Sequence, residues 1–243
     1  MDEAGRGPLA GPVVAAAVVL DQATAPDGLN DSKQLTSDQR LSLARLIGER
    51  AVGIGIGMAD VAEIDRLNIR QASLLAMVRA VANFRCCLPR PDLRPDTSRP
   101  DLRPDTSRSD FRPDTSRPDS SRSDLSQLGP FQPDLSQSDL FRPDFLLIDG
   151  RDVPPALPCA ARAVVKGDTL SASIAAASIL AKVTRDTLMD DLAHAYPGYG
   201  WERNKGYPTR EHVAAIQSLG VALPHRRTFG PVRLVLATGR HPI

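Results

Sequence analysis

Between Pro89 and Asp144 the chain cycles through a nine-residue unit too rich in proline for helix or central strand, and this tract divides everything that can fold into two flanks. Arg90–Ser98 reads RPDLRPDTS, Arg99–Ser107 repeats it letter for letter, and Arg108–Ser116 gives RSDFRPDTS before a degenerate run through Phe141-Arg142-Pro143-Asp144. Each proline removes a backbone donor and fixes φ, which blocks helix interiors and central strands. Alternating Arg and Asp leave almost no apolar surface to bury, so a disordered or polyproline-like segment is expected. A stacked solenoid would need an apolar residue turned inward in every repeat, and only an occasional Leu or Phe is available. Two identical tandem copies fit an expanded, tolerated insertion better than a partner-binding tail, because long surface insertions cost little closure entropy.

With that tract set aside, residues 1–88 and 145–243 read as two parts of one α/β domain. Val13–Leu20 is an apolar, β-branched run of the kind that forms a buried strand. Thr36-Ser37-Asp38-Gln39 opens a helix with a capping box, and Leu41, Leu43, Ala44, Leu46 and Ile47 supply its apolar face. Val52–Met58 (VGIGIGM) alternates with period two, and its glycines predict close backbone approach. Asp60 with Glu63 caps a long helix carrying Ile64, Leu67, Leu74, Leu75, Val78 and Val81. Phe145–Ile148 is a short buried strand ending at Asp149-Gly150, and Arg162–Val165 another ending at Lys166-Gly167-Asp168. Helices are expected over Ile174–Leu192 and Thr209–Leu219, with Cys86-Cys87 as structural filling at a helix end.

The charge balance is nearly even, formally +1, so no global basic field advertises nucleic acid and any such binding must be local. Three cysteines (Cys86, Cys87, Cys159) without metal-ligand spacing suggest a reducing, cytoplasmic setting. The longest apolar stretch, Val13–Leu20, is too short to cross a bilayer, and no targeting segment precedes Asp2. A soluble protein with no membrane role is expected.

Carboxylates carry the chemistry. Asp2 and Glu3 stand before a Gly5-Arg6-Gly7 turn, while Asp149 and Asp168 lie where strands stop and glycine turns begin. In open α/β sheets that edge is where ligands bind. Taken singly, each acid reads equally as a turn, a cap or a solvated surface. Converging, the four would repel unless divalent cations neutralised them, and oxygen ligands suit hard cations. Such a set suits two-metal phosphodiester hydrolysis, with ions about 3.5–4 Å apart flanking an in-line displacement. The arginine between glycines offers backbone N–H groups and a planar cation to phosphate or ribose.

The ordered series DEAGRGPLAGPVVAAAVVL, LNDSKQL, EIDRLNI, LLIDG, VVKGD, AAASILAKVTRD, YPGYG, NKGYPT and HRRTFGPV resembles the motif series of the prokaryotic ribonuclease HII family. The likeness covers Asp2–Leu88 and Phe145–Val232 and skips the repeat. It implies a ribonuclease H-like mixed sheet flanked by helices, with a helical C-terminal part. It also implies Mn²⁺- or Mg²⁺-dependent cleavage of RNA paired with or joined to DNA, including single ribonucleotides embedded in duplex DNA. Cutting would fall 5′ of the ribonucleotide and leave 3′-hydroxyl and 5′-phosphate ends. By the same resemblance Asp2, Glu3, Asp149 and Asp168 are the catalytic metal ligands, and Gly5, Arg6 and Gly7 sense the 2′-hydroxyl, the group that distinguishes RNA from DNA. By that resemblance Tyr207 would stack on the next sugar, and Lys33 and Lys166 are candidate phosphate contacts. Arg226 and Arg227 are open between phosphate contacts and surface salt bridges, whereas Asp186 reads as a helix-surface ion-pair partner. None of the four histidines has ligand spacing. The nucleic-acid substrate is the one partner implied, and a monomer is expected.

Members of that family carry a strand's worth of residues ahead of the Asp-Glu pair, and here only Met1 precedes it. Asp2 and Glu3 are therefore expected to sit on a frayed terminus, and a natural product longer at its N-terminus is expected. The alternative to an active enzyme is a catalytically impaired nucleic-acid-binding remnant. Replacing Pro89–Pro143 with a short Gly/Ser linker is expected to leave turnover intact; a large loss of cleavage at an embedded ribonucleotide would show that the repeat contributes.

Overall fold

The computed structural model describes residues 1–87 and 143–238, and the repeat with its expected disorder lies outside them. Its first strand, β1 (Asp2–Ala4), pairs antiparallel with β2 (Val13–Leu20), setting Asp2 opposite Ala16 and Glu3 opposite Ala15. β2 pairs antiparallel with β3 (Ala51–Ala59), which pairs with the short β4 (Arg85–Cys86). Beyond the repeat, β5 (Phe145–Asp149) and β6 (Ala160–Val164) form a parallel pair. Met1 joins the two ladders. Its ammonium donates to the Leu147 carbonyl at 2.8 Å, and its own carbonyl accepts from Asp149 N–H at 3.0 Å. Bonds from one residue to the two positions flanking its partner are the parallel pattern. The spatial order is therefore β4-β3-β2-β1-β5-β6, a mixed sheet.

The expected fraying of the start is thus corrected. Met1 is 3% exposed and Asp2 8%, and the strand is pinned on both edges. β2 is a buried strand because both of its faces are covered: Val13, Ala15 and Ala17 face one core, Ala16 and Val18 another. The first core is closed by α2 (Val61–Leu67) and α3 (Ile69–Ala82), the second by α1 (Ser37–Arg50) and α5 (Ala172–Ala195).

The local signals explain most boundaries. Thr36 and Gln39 make the expected capping box on α1, and Asp60 with Glu63 makes one on α2. The single long helix expected after Asp60 is instead two, broken at Asn68, whose φ of 70° leaves the helical region while its side chain caps α3. Cys86 falls in β4 and not at a helix end. The glycines of β3 do what their pattern implied, since α3 lies directly on the strand: a Cβ on Gly55 would run into the Ala80 carbonyl, and one on Gly57 into Ala76. Asp168 lies not at a strand end but in the first turn of α4 (Gly167–Leu170), entered through Lys166 in the left-handed region.

The C-terminal part holds α6 (Trp201–Asn204), α7 (Arg210–Leu219) and α8 (Gly230–Ala237) around a third core with Leu9, Met189, Tyr199, Trp201, Ile216 and Val232. Among the described residues no helix is long and apolar enough to cross a membrane. Because α3 backbone fills the space over Gly55, Gly55→Ala is expected to cost about 3 kcal/mol by overpacking, read as a lower urea midpoint with unchanged slope.

Candidate active site

β1 delivers Asp2 and Glu3, the end of β5 delivers Asp149, and the first turn of α4 delivers Asp168. Asp149 Oδ1 accepts from Gly167 N–H at 2.7 Å, which ties the β5 end to the α4 turn and fixes one carboxylate beside the next. Asp2 Oδ1 accepts from Glu3 N–H at 2.7 Å. Glu3 also takes Arg6 as counter-ion, Nη1 to Oε1 at 3.1 Å.

The electrostatics show that the acids share one neighbourhood. Burial, then the Glu3 and Asp149 charges, push the Asp2 carboxyl well above its ordinary value. Burial raises Glu3, opposed by Arg6 and aided by Asp149. Burial raises Asp168 too, followed by the charges of Asp149 and Asp31, with Lys33 opposing. Asp149 thus acts on all three of the other acids, and the loop holding Asp31 and Lys33 faces Asp168. Among the described residues no three His, Cys, Asp or Glu side chains already form a closed cage. The set is an open one, four oxygen-bearing groups held in mutual repulsion. That donor chemistry fits hard divalent cations and no softer metal.

Beside the acids lies the turn of the GRG segment. Gly5 has φ of 96° and is buried, and a Cβ there would collide with the Arg185 side chain. Gly7 and Arg6 are exposed. A Cβ on Gly7 would stand 3.7 Å from the ring of Tyr207, so these two sequence-distant motifs form one ledge. Tyr207 is 39% exposed, with Lys182 Nζ 5.6 Å and the Arg185 guanidinium 5.9 Å from its ring centre. Lys182 also pairs with Asp186 at 2.6 Å, the ion pair expected for that acid. Lys33 and Lys166 are exposed; Lys33 faces the acids, and Lys166 precedes the α4 turn.

Arg226 corrects an expectation. It is neither a phosphate contact nor a surface partner but wholly buried, donating to the carbonyls of Gly5, Arg6, Gly11 and Pro12. Burial, then the neighbouring Arg185 charge, lower it to about 9, so it stays protonated at neutral pH. Arg185, also buried, donates to Ala10, Pro12 and Lys205. Its signal was present in the sequence: Ala181, Arg185 and Met189 share one face of α5, a charged residue inside an apolar stripe. Arg227 contributes its main-chain N–H to Asp65.

Behind Tyr207 lies a buried pair of histidines. His212 Nδ1 meets the Tyr207 carbonyl at 2.9 Å, so that nitrogen carries the proton. Its Nε2 then accepts from Trp201 Nε1 at 2.8 Å and faces His225 Nε2 at 3.2 Å. His225 Nδ1 lies 3.0 Å from the Ala222 N–H and 3.1 Å from the Ala222 carbonyl. Burial lowers both rings below the ordinary histidine value and so favours their neutral forms.

The ribonuclease HII family model matches residues 1–96 and 131–231. A ribonuclease HII of Ruegeria pomeroyi is 47% identical over 236 residues, covering 97% of this chain and 77% of that one. Among solved structures, ribonuclease H2 from Pyrococcus horikoshii superposes with a TM-score of 0.65 at 23% identity, covering 98% and 96% of the two chains. A Bst-RNase HIII in complex with Mn²⁺ gives 0.59 at 17% identity over 98% of this chain and 68% of that one. These two share the fold.

Burial, then the His212 charge, lower His225 from 6.5 to about 4. Between those values the unfolded chain binds the proton and the folded one does not, so stability falls with acidification across that window. The loss amounts to about 3 kcal/mol by linkage. The difference between wild type and His225→Gln, from urea melts at pH 4 to 7, is expected to carry this slope.

Proposed function

Because the chain belongs to the ribonuclease HII family and is a type 2 ribonuclease H, we propose that it hydrolyses RNA in RNA–DNA hybrids and nicks duplex DNA 5′ of single embedded ribonucleotides. The observation that supports this reading best is the adjacency of the acidic edge to the GRG–Tyr207 ledge, joined by the Glu3–Arg6 pair at 3.1 Å. A phosphate over the acids leaves the adjoining ribose over the glycines, so the reacting bond and the discriminating hydroxyl are read by neighbouring parts of one surface.

Asp2, Glu3, Asp149 and Asp168 are the groups that would hold Mg²⁺ or Mn²⁺. Such ions, when bound, activate water and stabilise charge on the leaving oxygen. The attacking water oxygen forms a bond to phosphorus as the bond to the 3′-oxygen breaks, giving 3′-hydroxyl and 5′-phosphate ends. The protein's own part is placement. Asp149, anchored by Gly167 N–H, keeps the β5 and α4 acids in register, and Arg6 balances Glu3 where substrate enters. Gly5, Arg6 and Gly7 bring backbone close to the sugar, where side chains would bar it. Tyr207 offers a ring face to the next deoxyribose, and Lys33 and Lys166 offer charge to flanking phosphates.

The test is cleavage of duplex DNA carrying one ribonucleotide, with Mg²⁺, Mn²⁺ or EDTA, beside an all-DNA control. Metal-dependent nicking 5′ of the ribonucleotide alone is expected. Asp149→Asn, which keeps the Oδ1 acceptor for Gly167 but loses the charge, should lower turnover by about 10²–10³-fold. It should also melt at a higher temperature than wild type in EDTA and lose the rise in melting temperature that Mn²⁺ gives. Metal-independent cutting, or equal cutting of the all-DNA duplex, would overturn the assignment.

A further inference from the structure

Two arginines lie side by side beneath the ledge, and their partners are carbonyls. Arg226 reaches Gly5 at 2.6 Å, Gly11 at 2.9 Å, Arg6 at 3.1 Å and Pro12 at 3.2 Å. Arg185 reaches Lys205 at 2.9 Å, Ala10 at 3.0 Å and, in common with Arg226, Pro12 at 3.1 Å. Among the described residues neither is ion-paired with a carboxylate. Burying two like charges together is costly, and apolar residues could fill the space without it. What only a guanidinium offers is a rigid fork of donors able to hold several carbonyls turned one way.

That turning has a geometric consequence. Among the described residues every peptide is trans, and in a trans peptide C=O and the next residue's N–H point in opposite directions. Carbonyls of Gly5 and Arg6 drawn inward to Arg226 therefore aim the N–H groups of Arg6 and Gly7 away from it, on the side where Gly7 meets Tyr207. The Arg185 bond to Lys205 reaches the turn that carries Tyr207, and Leu9 N–H donates to Gly206 across the same junction. The main chain at Arg226 adds to the grip: its N–H donates to Leu9, Ala10 bridges His225, and Gly11 N–H donates to Pro224. Asp65 holds the following residues from outside by accepting from Arg227, Thr228 N–H and the Thr228 hydroxyl.

We infer that Arg226, with Arg185 beside it, is a positioning residue for ribose recognition, gripping the carbonyls of residues 5–12 so that the Arg6 and Gly7 amides and the Tyr207 turn present one fixed ledge to the nucleotide. This rests on the ribonuclease reading above. The grip acts on discrimination between RNA and DNA and leaves the acidic edge alone, because the side-chain bonds of Arg226 and Arg185 go to main-chain carbonyls and to none of Asp2, Glu3, Asp149 and Asp168.

The experiment compares wild type with Arg226→Lys and Arg185→Lys, which keep the charge but lose the fork. Duplexes identical except for one ribonucleotide are bound in Ca²⁺, and deuterium uptake is followed over residues 5–12. Folded variants should take up deuterium faster in that segment and bind the ribonucleotide duplex about tenfold more weakly, the scale of one lost hydrogen bond. Affinity for the all-DNA duplex should change less than twofold, and the Mn²⁺-induced rise in melting temperature should persist. Equal weakening on both duplexes would mark a merely structural role and overturn the inference, as would unchanged uptake with an unchanged affinity ratio. Should wild type itself show no preference for the ribonucleotide, the ribonuclease reading fails, while the uptake of the variants still decides whether the arginines hold the segment. Arg185→Lys removes fewer bonds than Arg226→Lys and supplies the folded comparison if the latter unfolds.

Discussion

Two backbone hydrogen bonds at Met1 make one sheet out of two. Without them β1–β4 would form an antiparallel ladder with an open edge, and β5–β6 a parallel pair too small to stand alone. Asp2 and Glu3 belong to the first ladder and Asp149 to the second, so the acidic edge exists only because the seam closes. The ammonium at the seam is itself buried, and burial lowers it to about 6 against the pull of Asp2 and Asp149. Asp2, Glu3 and Asp149 are thus gathered where the sheet has least redundancy, beside the main-chain bonds of Met1.

The division of charge follows from that arrangement. Acids occupy the sheet edge and feel one another, whereas the buried cations Arg185 and Arg226 lie under the neighbouring turn and spend their donors on neutral carbonyls. Had the guanidinium groups faced the carboxylates, ion pairs would have neutralised both sets and left neither charge for substrate or metal. Arg6 crosses the boundary, exposed and paired with Glu3 at 3.1 Å.

How much of this the sequence discloses depends on how local the cause is. The Thr36–Gln39 and Asp60–Glu63 boxes, the apolar run of β2 and the alternating glycines of β3 are set by neighbours along the chain, and they were legible. The family motifs brought Asp149 and Tyr207 to notice, but their juxtaposition with Glu3 and Gly7 comes from sheet order and the helical C-terminal part. Asn68 was missed because asparagine accepts a left-handed φ with no glycine to advertise it. Arg226 was misread because a buried, unpaired arginine contradicts the usual exposure of charge. Nothing local predicts that four carbonyls, of Gly5, Arg6, Gly11 and Pro12, will point at it from the far end of the chain. Met1 was misread for the same reason: two long-range bonds outweigh the tendency of ends to fray.

α5 runs as one helix from beside the α4 turn, with its Asp168, to Arg185 and on to the third core at Met189. A helix turns about 100° per residue and rises 1.5 Å. One residue inserted or removed between Ala172 and Arg185 would therefore swing every later side chain a quarter-turn and more, carrying Arg185 away from Pro12 and Lys205. The length of this stretch of helix is therefore a fixed unit of measure between the acidic edge and the Gly7–Tyr207 ledge.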